Sequence, residues 1–513
     1  MRPMLSRRLV TVVVPRCGLA SSTAEAATEP PPPVARAVAT PQGRPEGFVP
    51  APYTRRPYPI RPSPNMVHDE FVNEGDATGY GARLTDYYKM QDHVRGLDSP
   101  AARIDFVNPY ERTWTQFERK WHRRFHPVLS APRKAWGVPA IPAYFDTLNF
   151  YKYITKTRLI EEPAVLNNFY NTLVPPTAKF ERRLQESLKA VFQGRKPKST
   201  KQVDTFLLAA LEDAQLSLAH NVAAIQNYRL STNERCESFW VRGGFLSMYD
   251  KLEVWDDYGT VDSERRGKPR FIGDDKRRLG ELAFVHRDRL TAQFRTKAPL
   301  PVLAPFSQTE LIEAPIFPED TDIETDVIFS PKIFNVNPDL DPLWQCPGFE
   351  ADVAEPFSHG HLAVKNMFDL QGRCRRWRIE ADTDEYAAVT ADAYTSTAIV
   401  SLFSWLNGQA HVQGFTRYND IEAPLASQLV LSDGRLFSFA IGQLNTIAIN
   451  VEMPGFENKR NNLCVVDGPH ALWDEYDKET GKYNHYNAAG DVVEGLNPIV
   501  LSRLLQALMV KAK

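Results

Sequence analysis

An Asp-Gly pair set between two apolar runs is the strongest folding instruction in this chain. Asp433-Gly434 separates residues 428–432 from 435–442, and such a pair favours a two-residue type I′ connection, because both central positions there need positive φ. The two runs are expected to pair as an antiparallel hairpin. Helices are expected on either side of it. Residues 391–411 carry Ile399, Leu402, Phe403 and Leu406 at helical spacing. A last helix opens with Asn497 as cap and Pro498 at its first position, and buries Val500, Leu501, Leu504, Leu505 and Leu508. Lys511 and Lys513 suit the C-terminal end of its dipole.

Upstream, residues 202–228 read as one long helix through Leu208, Leu211, Leu218, Val222 and Ile225. The chain then changes class. Residues 237–245 take strand character from Phe239, Trp240 and Val241, and Gly243-Gly244 marks the end of the strand. The fold class expected is α+β: a helical N-terminal region followed by a mixed α/β domain with an antiparallel hairpin, plus extended irregular arms. At 513 residues the chain exceeds the roughly 250 to 300 at which one hydrophobic core stops growing, so one large or two coupled domains are expected. The division read from the sequence is a leader at 1–27, a proline-rich arm at 28–65, a mainly helical region at 66–235 and the mixed domain at 236–513.

The first segment carries Arg2, Arg7, Arg8 and Arg16 and no acid before Glu25, the composition of a mitochondrial transit peptide. A secretory signal is the rival, but its apolar run at 9–14 is interrupted by Thr11 and stopped by Pro15 and Arg16. No later stretch approaches the roughly 18 apolar residues of a membrane-spanning helix, so no membrane span is expected. Five scattered cysteines, Cys17, Cys236, Cys346, Cys374 and Cys464, do not make a disulfide framework, and reduced thiols are expected. The formal net charge is −2, and removal of the four leader arginines takes it to about −6. Any contact with RNA must therefore be local.

Three segments concentrate positive charge. In the proline-rich arm Arg55, Arg56 and Arg61 alternate with Tyr53 and Tyr58, a pattern that can lie along RNA or be a solvated linker. Between 111 and 125, Trp114, Phe117, Trp121 and Phe125 share one helical face, and Arg112, Arg119 and Arg123 lie opposite with Lys120 and Arg124 flanking. The aromatic stripe is core; the basic face is either solvated or phosphate-binding. In the third segment Arg373, Arg375, Arg376 and Arg378 surround Trp377. Read as a strand, Arg376 and Arg378 point one way and Arg373, Arg375 and Trp377 the other. A charge run paired with Glu380 and Asp382 is the alternative. Two irregular stretches remain: a charged loop at 256–278, and a proline-rich, acidic excursion at 299–356 expected to run over the surface of a partner.

No phosphate loop, dinucleotide fingerprint, Gly-x-Ser-x-Gly elbow or His-Glu-x-x-His pair occurs. One spacing invites a metal. Cys346, His359, His361 and Cys374 are donors that zinc prefers, but the intervals are long and the His-Gly-His element also reads as a polar loop. A zinc-dependent matrix enzyme is kept as an alternative on that set.

Several strings resemble a known family. They are Tyr153-Ile154-Thr155-Lys156-Thr157, Phe239-Trp240-Val241-Arg242-Gly243, Ser401-Leu402-Phe403-Ser404-Trp405, Gln413-Gly414-Phe415, Ser432-Asp433-Gly434-Arg435-Leu436-Phe437-Ser438-Phe439 and Gln443-Leu444-Asn445-Thr446. In this order they are similar to the mitochondrial ribosomal protein S-thirty family, also called programmed cell death protein 9. The likeness runs from about residue 145 to the C-terminus. A sister family, the mitochondrial large-subunit protein thirty-seven, is similar around the Asp-Gly hairpin and the Gln-Leu-Asn-Thr string. The resemblance implies a non-enzymatic constituent of the large mitoribosomal subunit, despite the family's small-subunit name. It implies contact with large-subunit rRNA, with the paralogous protein thirty-seven and with other mitoribosomal proteins, and no cofactor. The family's second name leaves an apoptosis-linked adaptor as a further alternative.

Overall fold

In the computed structural model, residues 91–92, 94–99, 103, 135–170, 175–219, 228–244, 282–318, 331, 333–339, 345–349, 355–381, 383–452, 456, 458–487 and 489–512 are described. The leader, the proline-rich arm, the basic helix expected at 111–125 and the charged loop at 256–278 lie outside them. The elements in chain order are β1 (Ala135–Val138), α1 (Leu148–Ile154), β2 (Thr157–Ile160), α2 (Pro163–Phe169), α3 (Ala178–Phe192), α4 (Thr200–Leu218), β3 (Arg229–Arg242), β4 (Leu282–Thr296), α5 (Thr309–Ile312), β5 (Asn337–Asp339), β6 (His359–Asn366), α6 (Asp369–Arg376), α7 (Asp384–Val412), β7 (Leu425–Ser432), β8 (Leu436–Leu444), β9 (Asn462–Ala471), β10 (Glu475–Asp477), β11 (Lys482–Tyr486), β12 (Val492–Glu494) and α8 (Pro498–Met509).

Nine strands form one mixed sheet in the order β2-β9-β8-β7-β6-β4-β1-β5, with β3 also paired to β4. The long β4 organises its far side. β3 runs antiparallel along nearly its whole length, while β1 pairs parallel at Phe284–His286 and β6 antiparallel at Ala292–Thr296. Both short N-terminal strands are drawn into this sheet, β2 lying parallel to β9 through Thr157 to Asn462. Strands β10 to β12 make a small separate sheet.

Alternation along the central strands sends side chains to two helical layers. Val430, Phe437, Phe439, Leu463 and Val465 enter one core with α3, α4 and α8. Leu429, Leu431, Ala440 and Cys464 enter another with α6 and α7. The 29-residue α7 is buried all round from Ala398 to His411, which is why its sequence shows apolar residues without a single stripe. It starts where Thr383 accepts the amide of Tyr386 at 3.1 Å and Asp384 and Glu385 sit at the positive end of the dipole. It meets the sheet closely because Gly442 of β8 leaves room for Leu402. The last helix begins as its sequence dictates, with Asn497 accepting the amide of Ile499 at 3.0 Å and Pro498 in the first turn.

The hairpin is present, but its turn is not type I′. Strand pairing ends at Ser432 opposite Phe437, and only Gly434 has positive φ there, at 92°. Asp433 instead accepts the amides of Arg435 and Leu436 at 2.9 and 2.8 Å, an Asx arrangement that fixes a longer loop. The helix expected at 202–228 ends at Leu218 with Ala219 as its cap, and residues 220–227 lie beyond the described residues before β3 begins at Arg229. The described parts of 299–356 lie against the chain's own sheet. Leu300, Ala304 and Ile312 are core residues, Gln443 accepts the amides of Leu303 and Ala304, and β5 pairs with β1.

Candidate nucleic-acid interface

The arginine-rich segment 373–378 forms a helix end, not a strand. Leu370 and Cys374, four residues apart, are its two buried positions, and Asp369 at the start with arginines in the last turn agrees with the dipole. The helix closes on Arg378 at φ 64°. Arg378 donates its amide to Arg375 at 3.1 Å, and Ile379 donates to Cys374 at 3.1 Å, the hydrogen-bond pair of a Schellman motif with Arg where Gly is preferred. This geometry sorts the four cations. Arg373 turns inward and donates Nη1 to the carbonyl of Pro142 at 3.0 Å; burial and the neighbouring Arg376 lower its pKa. Arg375, Arg376 and Arg378 are exposed, and Trp377 is half-buried. Arg112, Arg119, Lys120, Arg123 and Arg124 lie outside the described residues.

Elsewhere the polar chemistry is turned inward. Arg242, 2% exposed, donates to the carbonyl of Tyr153 at 2.8 Å and to Glu452 Oε2 at 2.8 Å, and lies over the Tyr153 ring. Lys156 reaches the same carboxylate at 3.4 Å. Burial opposes ionisation of Glu452, but Arg242 and Lys156 prevail and its pKa is lowered. Trp240 donates to the carbonyl of Ile154 at 2.8 Å, Asn462 donates to that of Thr155 at 3.0 Å and accepts the amide of Asn445 at 2.8 Å, and Thr446 donates to Asp420 at 2.7 Å. The strings 153–157, 239–243 and 443–446 thus meet at one end of the sheet, where they lock the turn after α1 to the loop after β8.

A second buried cluster sits between β4, β6 and α7. Lys365 is bonded to Asp288 and donates to Ser401 at 2.9 Å, Ser401 donates to Asp288 at 3.2 Å, and His286 Nε2 is 3.5 Å from the same carboxylate. Burial raises the Asp288 pKa, yet Lys365 and His286 outweigh it and hold the group ionised. These side chains are at most 9% exposed, so the cluster fastens α7 to the sheet. Neither cluster is legible in the sequence, because their members are up to 307 residues apart; only the resemblance strings point at some of them.

The candidate zinc set is not assembled. Cys346 bridges to Glu237 through backbone hydrogen bonds. The β6 ladder with β4 skips His361, whose Nε2 bonds the carbonyl of Val510 at 2.7 Å beside the Tyr228 ring. Cys374 lies in the core under α7. Among the described residues no three His, Cys, Asp or Glu side chains converge as metal ligands, and no helix is long and apolar enough to cross a membrane.

A body whose buried charges serve its own packing, and which exposes a group of arginines at the end of α6, has the character of an architectural protein that is held by a larger assembly. The particular family follows from the sequence as a whole: the model of the family described as mitochondrial 28S ribosomal protein S30 (PDCD9) matches residues 7–512, and the chain belongs to that family. It is a mitochondrial ribosomal protein, and its compartment is the mitochondrial matrix.

Proposed function

We propose that the protein is a structural constituent of the mitochondrial ribosome, supporting mitochondrial translation by bridging rRNA to neighbouring ribosomal proteins. The observation that carries this reading is the family match across residues 7–512. The exposed Arg375, Arg376 and Arg378 on a fixed helix end support an RNA contact, since guanidinium groups pair with phosphate and the backbone that carries them is held by the close of α6. We assign the same role to Arg112, Arg119, Lys120, Arg123 and Arg124, and an import role to the arginines of the first 27 residues.

We place the protein on the large subunit, in contact with large-subunit rRNA and paired with the paralogous protein thirty-seven. Support comes from the likeness to that sister protein around 432–439 and 443–446; the family description names the 28S, small-subunit particle instead. Gradient sedimentation of mitochondrial lysate under conditions that separate the subunits decides between them. The protein is expected in the large-subunit peak. Recovery with the small subunit overturns the subunit assignment, and recovery only in light fractions overturns the ribosomal role.

A further inference from the structure

Arg375 and Arg376 of α6, and Arg378 just beyond its end, are exposed and have neighbours of the same sign. The connection between α3 and α4 carries Arg195, Lys196 and Lys198, and Lys201 follows in the first turn of α4; all four are exposed. No acid occurs between Glu186 and Asp204. The ion pairs of this region are Arg182–Glu186 and Arg183–Asp213, and none of the four cations joins an ion pair among the described residues.

This loop is fixed in place. Gln193 and Gly194, at φ 52° and 69°, turn the chain out of α3. Pro197 is buried and abuts Gly434 at the tip of the β7–β8 hairpin. Gln202 accepts the amide of Lys198 at 3.0 Å, and Ser199 caps α4 by accepting the amide of Gln202 at 3.3 Å. Asn366 donates to the carbonyl of Thr200 at 2.9 Å, and Thr200 donates to Asp369 at 3.3 Å. Asp369 opens α6, and Arg376 lies seven residues on, about 10 Å along the axis. The loop cations and the α6 arginines therefore stand at the two ends of one short helix. Of the carboxylates between them, Asp369 is engaged by Thr200, and Asp433 is 6% exposed and bonded to Gln371.

We infer that the loop 195–201 and the C-terminal end of α6 form one surface for the phosphate backbone of a double-helical RNA. Anchoring like charges on fixed backbone at the two ends of one short helix is unfavourable for the protein alone, because they repel, and a polyanion removes that repulsion. The loop has no aromatic ring, and Trp377 at the α6 end is half-buried against the core under α7, so the surface lacks the open stacking platform that single-stranded, base-exposed RNA uses. Pre-set cations suit phosphates that are themselves held at fixed spacing. The inference deepens the ribosomal reading above and rests on it.

The test is fluorescence anisotropy of the purified full-length protein with a labelled RNA hairpin of about 20 base pairs, across a salt series, for wild type and for the variant Arg195→Gln, Lys196→Gln, Lys198→Gln, Lys201→Gln. The variant is expected to bind on the order of a hundredfold more weakly at low salt, with a log–log salt slope shallower by about three. Circular dichroism checks that both are folded, and Arg375→Gln with Arg376→Gln should weaken binding in the same manner. Unchanged affinity and slope in the loop variant overturn the inference, as does equal competition by polyglutamate, which would assign the surface to an acidic protein. Sedimentation of the same variant keeps the two ideas apart. Loss of RNA affinity with the wild-type protein absent from ribosomal fractions defeats the ribosomal reading, whereas normal co-sedimentation with unchanged RNA affinity defeats only this surface.

Discussion

Arg378 occupies a left-handed conformation that costs an L side chain roughly 1 to 2 kcal/mol, at the position where a glycine would close α6 without strain. Arg378→Gly should therefore leave the fold intact and raise its unfolding free energy by up to about 1 kcal/mol in urea titration. A loss of stability would mean that the arginine side chain supplies contacts outweighing its backbone cost. The same residue shows where the sequence was misread. Arginines at alternate positions resemble a strand with two charged sides. The deciding residues were the uncharged pair Leu370 and Cys374, whose spacing of four belongs to a helix. In an eight-residue element two apolar positions are a faint signal beside four charges.

At the scale of elements, α7 and the sheet are joined by a close approach. A Cβ at Gly442 would lie 2.8 Å from Leu402 Cβ, an atom fixed by the helix backbone, so Gly442→Ala should cost about 1 to 3 kcal/mol. Gly372→Ala in α6 is the matched control, since nothing lies within 4 Å of its added methyl and helix propensity favours alanine by about 1 kcal/mol. Denaturant midpoints for the two variants should move in opposite directions; equal shifts would exclude the close contact as the cause. Elements defined by local chemistry were legible: the Asn497-Pro498 helix start, the core of α7 and both strands of the Asp433-Gly434 hairpin. The turn type was not, because Asp433 uses its side chain on two amides, and composition cannot tell that from a type I′ turn. Strands β1 and β2, four residues each, carry no readable period, and their partners lie far along the chain. The arginines at the end of α6 are visible in the sequence as a cluster, while the loop 195–201 gains its meaning only from its neighbours in space.

For the molecule as a whole, buried histidines set an acid limit. Burial pushes His361 and His411 down to about 4, against about 6.5 in an unfolded chain. Above pH 6.5 both are neutral in either state. As the pH falls from 6.5 towards 4, only the unfolded chain takes up these protons, so stability declines by on the order of 3 kcal/mol for each group. Urea midpoints should fall between pH 7 and pH 5. His411→Gln, whose amide can still donate to the carbonyl of Asn407, should flatten that fall, and an unaltered slope would remove His411 from the account. The pairing of β2 with β9 has another consequence. A polypeptide emerging tail-last, from the site of its synthesis or from a translocation pore, presents Thr157–Ile160 some three hundred residues before Asn462 arrives to bond with it. Until then one margin of the nascent sheet is open to any extended strand nearby. A C-terminally shortened product would retain that open margin permanently and become a seed for aggregates, so chaperone custody must last until almost the final residues have been delivered.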